Sequence, residues 1–201
     1  MTRTTAIVIT ALAAAACSSS EASTAAGDLV SARRAADMVH AALAADRAVY
    51  AREVVQRLTA VQRVRVMDPQ RGEVPLEARE DWKSEHGALP LPAQMFRMGS
   101  EVVLEQDSGL SYLLLSPWPI NKQNRARTPA EERGLDAVTR TRQTLYATEE
   151  HDGTPYFVAI YPDVAVSPAC AACHNAHPDS PRKDFADGDV MGAVVVRFPL
   201  E

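Results

Sequence analysis

The chain has 201 residues, 46% of them hydrophobic and 23% charged, enough for one domain with a real core and too few for two large ones. Its 21 basic and 26 acidic residues give a net charge of −5 and are scattered rather than blocked, so the basic stripe that a nucleic-acid surface needs is missing. Nucleic acid is therefore not an expected partner.

The opening stretch MTRTTAIVITALAAAACSSS carries Arg3, then an apolar run of 11 residues from Ala6 to Ala16, then small polar residues. This order reads as an export signal over residues 1–16, and the run is too short to span a bilayer. Cys17 closes it behind Ala14, Ala15 and Ala16, which resembles the lipobox of bacterial lipoproteins, although Ala14 stands where leucine is usual. Cys17 is thus the expected lipidation site, with cleavage at an ordinary small-residue site as the alternative, and the expected location is the periplasm or another extracytoplasmic face. SSSEASTAAGD then holds no apolar residue larger than alanine, so residues 17–27 read as a flexible tether and residues 28–201 as the folded domain.

From Leu29 to about Arg63 there is no glycine or proline, which predicts one long helix. Leu43, Tyr50, Val54, Leu58 and Val61 draw its apolar stripe, with His40 on the flank and Met38 turned well away. The prolines between Asp68 and Pro92 predict an irregular loop or short turns, with His86 in it. PAQMFRMGSEVVLEQ reads as a second helix, where Met95 and Met98 are core filler more readily than iron ligands. Four segments are rich in β-branched and aromatic residues and read as strands: 110–120, 144–150, 155–164 and 191–200. A short helix beginning near Pro129 separates the first two, and HDG marks a hairpin between the second and third. Helices before and beside an antiparallel sheet make an α+β domain.

The chemistry lies in PACAACHNAHPDSPRKDF, between the third and fourth of these strands. Cys170, Cys173 and His174 form Cys-x-x-Cys-His, the pattern by which c-type haem is attached. Thiols at this spacing reach the two vinyl groups of one porphyrin, and the following imidazole can coordinate the iron. A zinc site would need a second pair of ligands, for which only His174 and His177 remain. A redox dithiol belongs at the start of a helix, whereas Pro168, Pro178 and Pro181 predict a loop here. One covalent haem is the reading that agrees with an export signal, because this attachment is made outside the cytoplasm.

The stretches DRAVYAREVVQRL, LPLPAQMFRMGSE, YFVAIYPDVAVSPACAACHNAHPDSPRKDF and GDVMGAVVVRFPL resemble a family of exported single-haem domains. Its members are small stand-alone proteins or the extracytoplasmic part of bacterial receptors. The resemblance implies a PAS-like sheet behind a long N-terminal helix, with the haem held in a loop before the last strand. It implies thioethers at Cys170 and Cys173 and proximal ligation by His174. The distal ligand does not transfer; His40 is the leading candidate and Met38 the second. Arg182 and Lys183 are placed to meet the haem propionates, with two solvated cations as the bland alternative.

The expected function is electron transfer or redox sensing, with small-ligand sensing through a separate membrane partner as the alternative. No enzymatic role is expected, since no acid–base group is credibly placed over the iron. A redox or signalling protein is the expected partner, and the negative net charge favours a cationic or neutral one at low salt.

Overall fold

A computed structural model describes residues 30–200. The expected signal, the tether and Cys17 lie outside the described residues. Helix α1 spans Ala32–Val49 and continues as a π-wound segment, Tyr50–Val61. Four short strands follow, β1 (Arg65–Asp68), β2 (Gly72–Pro75), β3 (Glu77–Arg79) and β4 (Ala88–Pro90). Then come α2 (Pro92–Glu105), β5 (Ser111–Leu115), α3 (Pro129–Thr141), β6 (Leu145–His151), β7 (Thr154–Val164), α4 (Pro168–Ala176) and β8 (Val190–Pro199). The class is α+β as expected, and among the described residues no helix is long and apolar enough to cross a membrane.

The main sheet is antiparallel in the order β5-β8-β7-β6. Its central strands are apolar without a break because both faces are covered. Phe157, Ala159 and Tyr161 of β7 join Val194, Val196 and Phe198 of β8 and Tyr112 of β5 on one face, against Ala36, Val39 and Leu43 of α1 and Phe96 of α2. The alternate residues, Val158, Ile160, Ala193, Val195 and Leu115, meet Leu135 and Val138 of α3 on the other. The period of two therefore sorts each strand between two helical layers. The expected hairpin is present: Asp152 and Gly153 both take positive φ, at 51° and 76°, the conformation that matches the twist of the flanking strands.

The long helix differs from the expectation in its winding. Past Val49 each N–H reaches about one residue further back, as in Gln62 N–H to the Arg57 carbonyl at 2.8 Å. More residues per turn rotate the later side chains out of phase. Tyr50, Val54 and Leu58 stay half-buried, but Val61 is 71% exposed, so the expected stripe does not run to its end. The face that α1 buries instead carries Ala36, His40, Leu43 and Arg47, which puts His40 within the packed stripe rather than beside it.

The expected irregular loop holds two small sheets, β1 antiparallel to β2 and β3 parallel to β4. The prolines punctuate these strands without interrupting them: Pro75 and Pro90 end β2 and β4, and Pro69 lies in the turn between β1 and β2. That turn is closed by buried Asp68, whose Oδ1 accepts the N–H groups of Gln70 and Arg71, both at 2.8 Å.

Helix α3 begins as expected, with Thr128 accepting the Glu131 N–H at 3.1 Å behind Pro129. Glu131 is 2% exposed and accepts a hydrogen bond from Arg197 of β8 at 3.2 Å, fixing the helix on the sheet.

Gly192 of β8 lies against the neighbouring strand, where a Cβ would drive into the Leu115 carbonyl oxygen. Backbone cannot yield as a side-chain tip can. Gly192→Ala should lower stability by about 2 kcal/mol, read as a reduced urea midpoint, and an unchanged midpoint would show that β5 can shift without cost.

Candidate functional site

Cys170, Cys173 and His174 lie on α4, not in a loop as expected. Pro168 opens this helix because its first turn has no use for the missing N–H, and Ser167 caps it by accepting the Ala169 N–H at 3.2 Å. The proline behind the motif, Pro178, stands after the helix has closed with the His177 N–H on the Cys173 carbonyl at 2.9 Å. Helical spacing places the two thiols and the imidazole on adjacent turns.

Both cysteines are free thiols, Cys170 half-buried and Cys173 exposed. The Cys173 thiol is held above its usual pKa, first by desolvation and then by the charges of Glu80 and Cys170. That is the opposite of the lowered value that marks a reactive dithiol. Cys170 packs at the edge of a small apolar cluster of Ala171, Phe185 and Met191, with Trp118 and Ala165 around it.

His174 sets its ring edge-on to Phe185, with centroids 5.7 Å apart. Its Nδ1 is buried and has no hydrogen-bond partner, an arrangement that native interiors rarely leave unexplained. Burial pushes the His174 pKa down, His177 adds to this, and the Asp163 carboxylate opposes it. Asn175 holds Phe185 in place through two hydrogen bonds of 2.9 Å, donating to its carbonyl and accepting its N–H. His177 is occupied at both nitrogens, Nδ1 accepting the Asp179 N–H at 3.1 Å and Nε2 lying 3.3 Å from Glu80. Among the described residues no three of His, Cys, Asp and Glu converge as a metal-binding group.

His40 lies on the α1 side of the sheet, stacked on Tyr161 at 3.8 Å with the planes 5° apart. Tyr161 and Tyr146 both donate to Asp37 Oδ1, at 2.8 and 2.7 Å. Arg33 covers the Tyr146 ring at 4.3 Å, and Arg47 pairs with Asp163. Burial lowers the His40 pKa, while Asp163 and Asp37 pull it upward. The Asp163 carboxylate thus pulls the pKa of both His40 and His174 upward. Met38, the second candidate, is 55% exposed. Met95 and Met98 are half-buried on α2, and His86 is exposed.

Comparison with known proteins adds an assignment. The sequence matches the Tll0287-like family over residues 29–199, from the start of α1 to the end of β8. The chain belongs to the Tll0287-like family. Among solved structures it is similar to the cyanobacterial haem protein Tll0287, at a TM-score of 0.41 and 13% identity, covering 55% of this chain and 73% of that one. No curated protein is close enough in sequence to count as a relative.

Within this Tll0287-like chain the expected cations divide. Arg182 donates to Asp184 at 2.7 Å and to Asp189 at 3.0 Å, with its guanidinium over Phe185 at 4.3 Å and Trp118 at 4.8 Å. Lys183 is exposed. Sequence reasoning missed Asp37, Tyr146, Tyr161 and Asp163. The only trace of them was the alternation in β7, which sets Tyr161 and Asp163 on the face that meets α1.

Asp37 is held below the ordinary carboxylate value of 3.8, first by the Tyr146 and then by the Tyr161 hydrogen bond. A depressed carboxylate stabilises the fold above its unfolded pKa, and that contribution is lost as pH falls through the folded one. The urea midpoint should therefore drop as the pH falls below the ordinary carboxylate value of 3.8, and Asp37→Asn should drop less steeply. Parallel curves would show that Asp37 carries none of the dependence.

Proposed function

We propose that the chain holds one haem covalently through Cys170 and Cys173, with His174 as proximal ligand and His40 as distal ligand. The observation that carries this is the Cys-x-x-Cys-His motif on a capped helix, with a buried, partnerless imidazole nitrogen at His174 and an apolar cluster beside it. The residues fit the group in three further respects. Both thiols are free, the apolar cluster includes Cys170 itself, and no protein-only metal set competes among the described residues. Family membership agrees, since the protein that gives the family its name is described as a haem protein. Each thiol would add across a vinyl double bond, sulfur to one carbon and hydrogen to the other, so attachment consumes no oxidant.

Bound haem supplies a one-electron iron couple whose potential depends on its axial ligands, nearby charge and burial. Residues of the chain would set those quantities. His174 and His40 donate imidazoles, Asp163 places a negative charge near both, and Phe185 and Tyr161 orient the rings. Lys183, and Arg182 if it exchanges its aspartates, would meet the propionates. We read the sheet as PAS-like, the chain as exported with a lipid at Cys17, and the role as electron transfer or redox sensing with a protein partner. Small-ligand sensing is the second reading. It is favoured by the Tyr161 stack, which holds the His40 ring in place without requiring that it bind a metal. No enzymatic role is assigned.

Spectra of protein matured with its haem test the ligands. The wild type should be low-spin and indifferent to carbon monoxide when reduced, and His40→Ala should turn high-spin and bind it. A wild type that binds carbon monoxide would favour ligand sensing. A colourless protein would remove the haem reading.

A further inference from the structure

Net charge favours a cationic or neutral partner, but one loop beside the motif cluster has the opposite sign. Residues 116–128, SPWPINKQNRART, contain Lys122, Arg125 and Arg127 and no acid. All three cations are exposed, and among the described residues none of their side chains has an acidic partner. The next acids in sequence are Glu131, buried against Arg197, and exposed Glu132.

This loop is built into the wall of the motif cluster. The Asn124 carbonyl, between Lys122 and Arg125, accepts the Ser116 N–H at 2.8 Å. Ser116 Oγ donates to the Met191 carbonyl at 2.7 Å and accepts the Trp118 N–H at 3.0 Å. Trp118 meets Phe185 edge-on at 5.6 Å, and Phe185 in turn meets His174. None of the acids near the motif pairs with the loop: Arg182 holds Asp184 and Asp189, a cluster with one net negative charge. Asp179 and Asp187 are exposed acids as well, and exposed Arg142 donates to the Gly188 carbonyl at 2.7 Å.

We propose that Lys122, Arg125 and Arg127 form the docking surface for an acidic redox partner protein, delivering it beside the motif cluster. The inference rests on the haem reading above. A charge patch of one sign steers association even where the net charge has the other, because screening over about 10 Å at about 0.1 M salt lets the nearest charges dominate. Proximity to the proposed electron-exchange site favours a redox protein over a lipid surface as the occupant.

Small charged oxidants read the local sign directly. Reduced holoprotein would be mixed with anionic hexacyanoferrate(III) or cationic tris(phenanthroline)cobalt(III), each taking one electron from the iron, at ionic strengths from about 0.1 M to about 1 M, where the screening length falls from about 10 Å to about 3 Å. The anion rate should fall with salt and the cation rate should rise. Lys122→Ser, Arg125→Ser and Arg127→Ser together should cut the low-salt anion rate roughly tenfold and flatten its slope. Arg52→Ser with Arg63→Asn, exposed cations outside this loop, should change neither. A poly-glutamate peptide should shift the Trp118 indole N–H resonance in the wild type and not in the triple variant, a readout that needs no electron transfer.

An anion rate that rises with salt, as the net charge alone would require, overturns the proposal. So does a triple variant that shifts the midpoint potential and leaves the salt slope intact, which would assign the cations to the cofactor's own carboxylates. Binding to anionic phospholipid vesicles without any response to poly-glutamate overturns it in favour of a membrane surface. A colourless protein fails the haem reading instead, and the poly-glutamate titration then still decides whether the surface takes an acidic chain.

Discussion

Two strands that are apolar on both faces set the architecture. β7 and β8 cannot leave either side to water, so α1 and α2 must cover one face and α3 the other. How α1 covers its face determines which of its side chains reach the interior. Arg47 pairs with Asp163 at one point, and Asp37 receives the two tyrosine hydroxyls at another. His40, between them, is pressed flat on Tyr161. A histidine on an alanine-rich helix thereby becomes a half-buried ring with a fixed orientation and a lowered pKa.

The motif helix depends on the same sheet but adds little to its core. α4 connects β7 to β8 and packs on its own small cluster around Phe185 and Met191. Such a satellite can carry a cofactor without asking the main core to rearrange. Asp163, close to the end of β7, joins the two regions: it binds α1 through Arg47 and acts on His174 of α4. Charge is organised locally in the same way. The chain is acidic as a whole, yet the loop from Pro117 to Arg127 presents only cations where it borders the motif cluster. Net charge describes solubility and long-range approach, whereas the nearest unpaired groups decide what is held at contact.

Much of this was legible in the sequence, and what was not has physical reasons. The four strands of the main sheet, the HDG hairpin, α2 and the Pro129 helix follow from composition, periodicity and turn chemistry, which are local. The π-wound turns after Val49 are not local, since the same residues would suit an α-helix, and their effect appears in the exposure of Val61. Reading Pro168 as a loop former neglected that proline suits the first turn of a helix, above all behind a serine cap. Cys170, Cys173 and His174 stood out because spacing alone defines them. Their surroundings did not, because Asp37, Tyr146, Tyr161 and Phe185 come from four separate elements or connections, and only the fold gathers them.

The central claim is that the two thiols of α4 are made to bear a porphyrin, and the mass of one peptide tests it most directly. Protein matured in an exporting, haem-loading host would be digested, and the peptide containing Cys170 and Cys173 weighed after extraction with acidified organic solvent. The account predicts that this peptide carries the mass of one haem, retained through extraction, with neither cysteine open to alkylation. A peptide of unmodified mass, with both cysteines alkylated or joined as a disulfide, would contradict it.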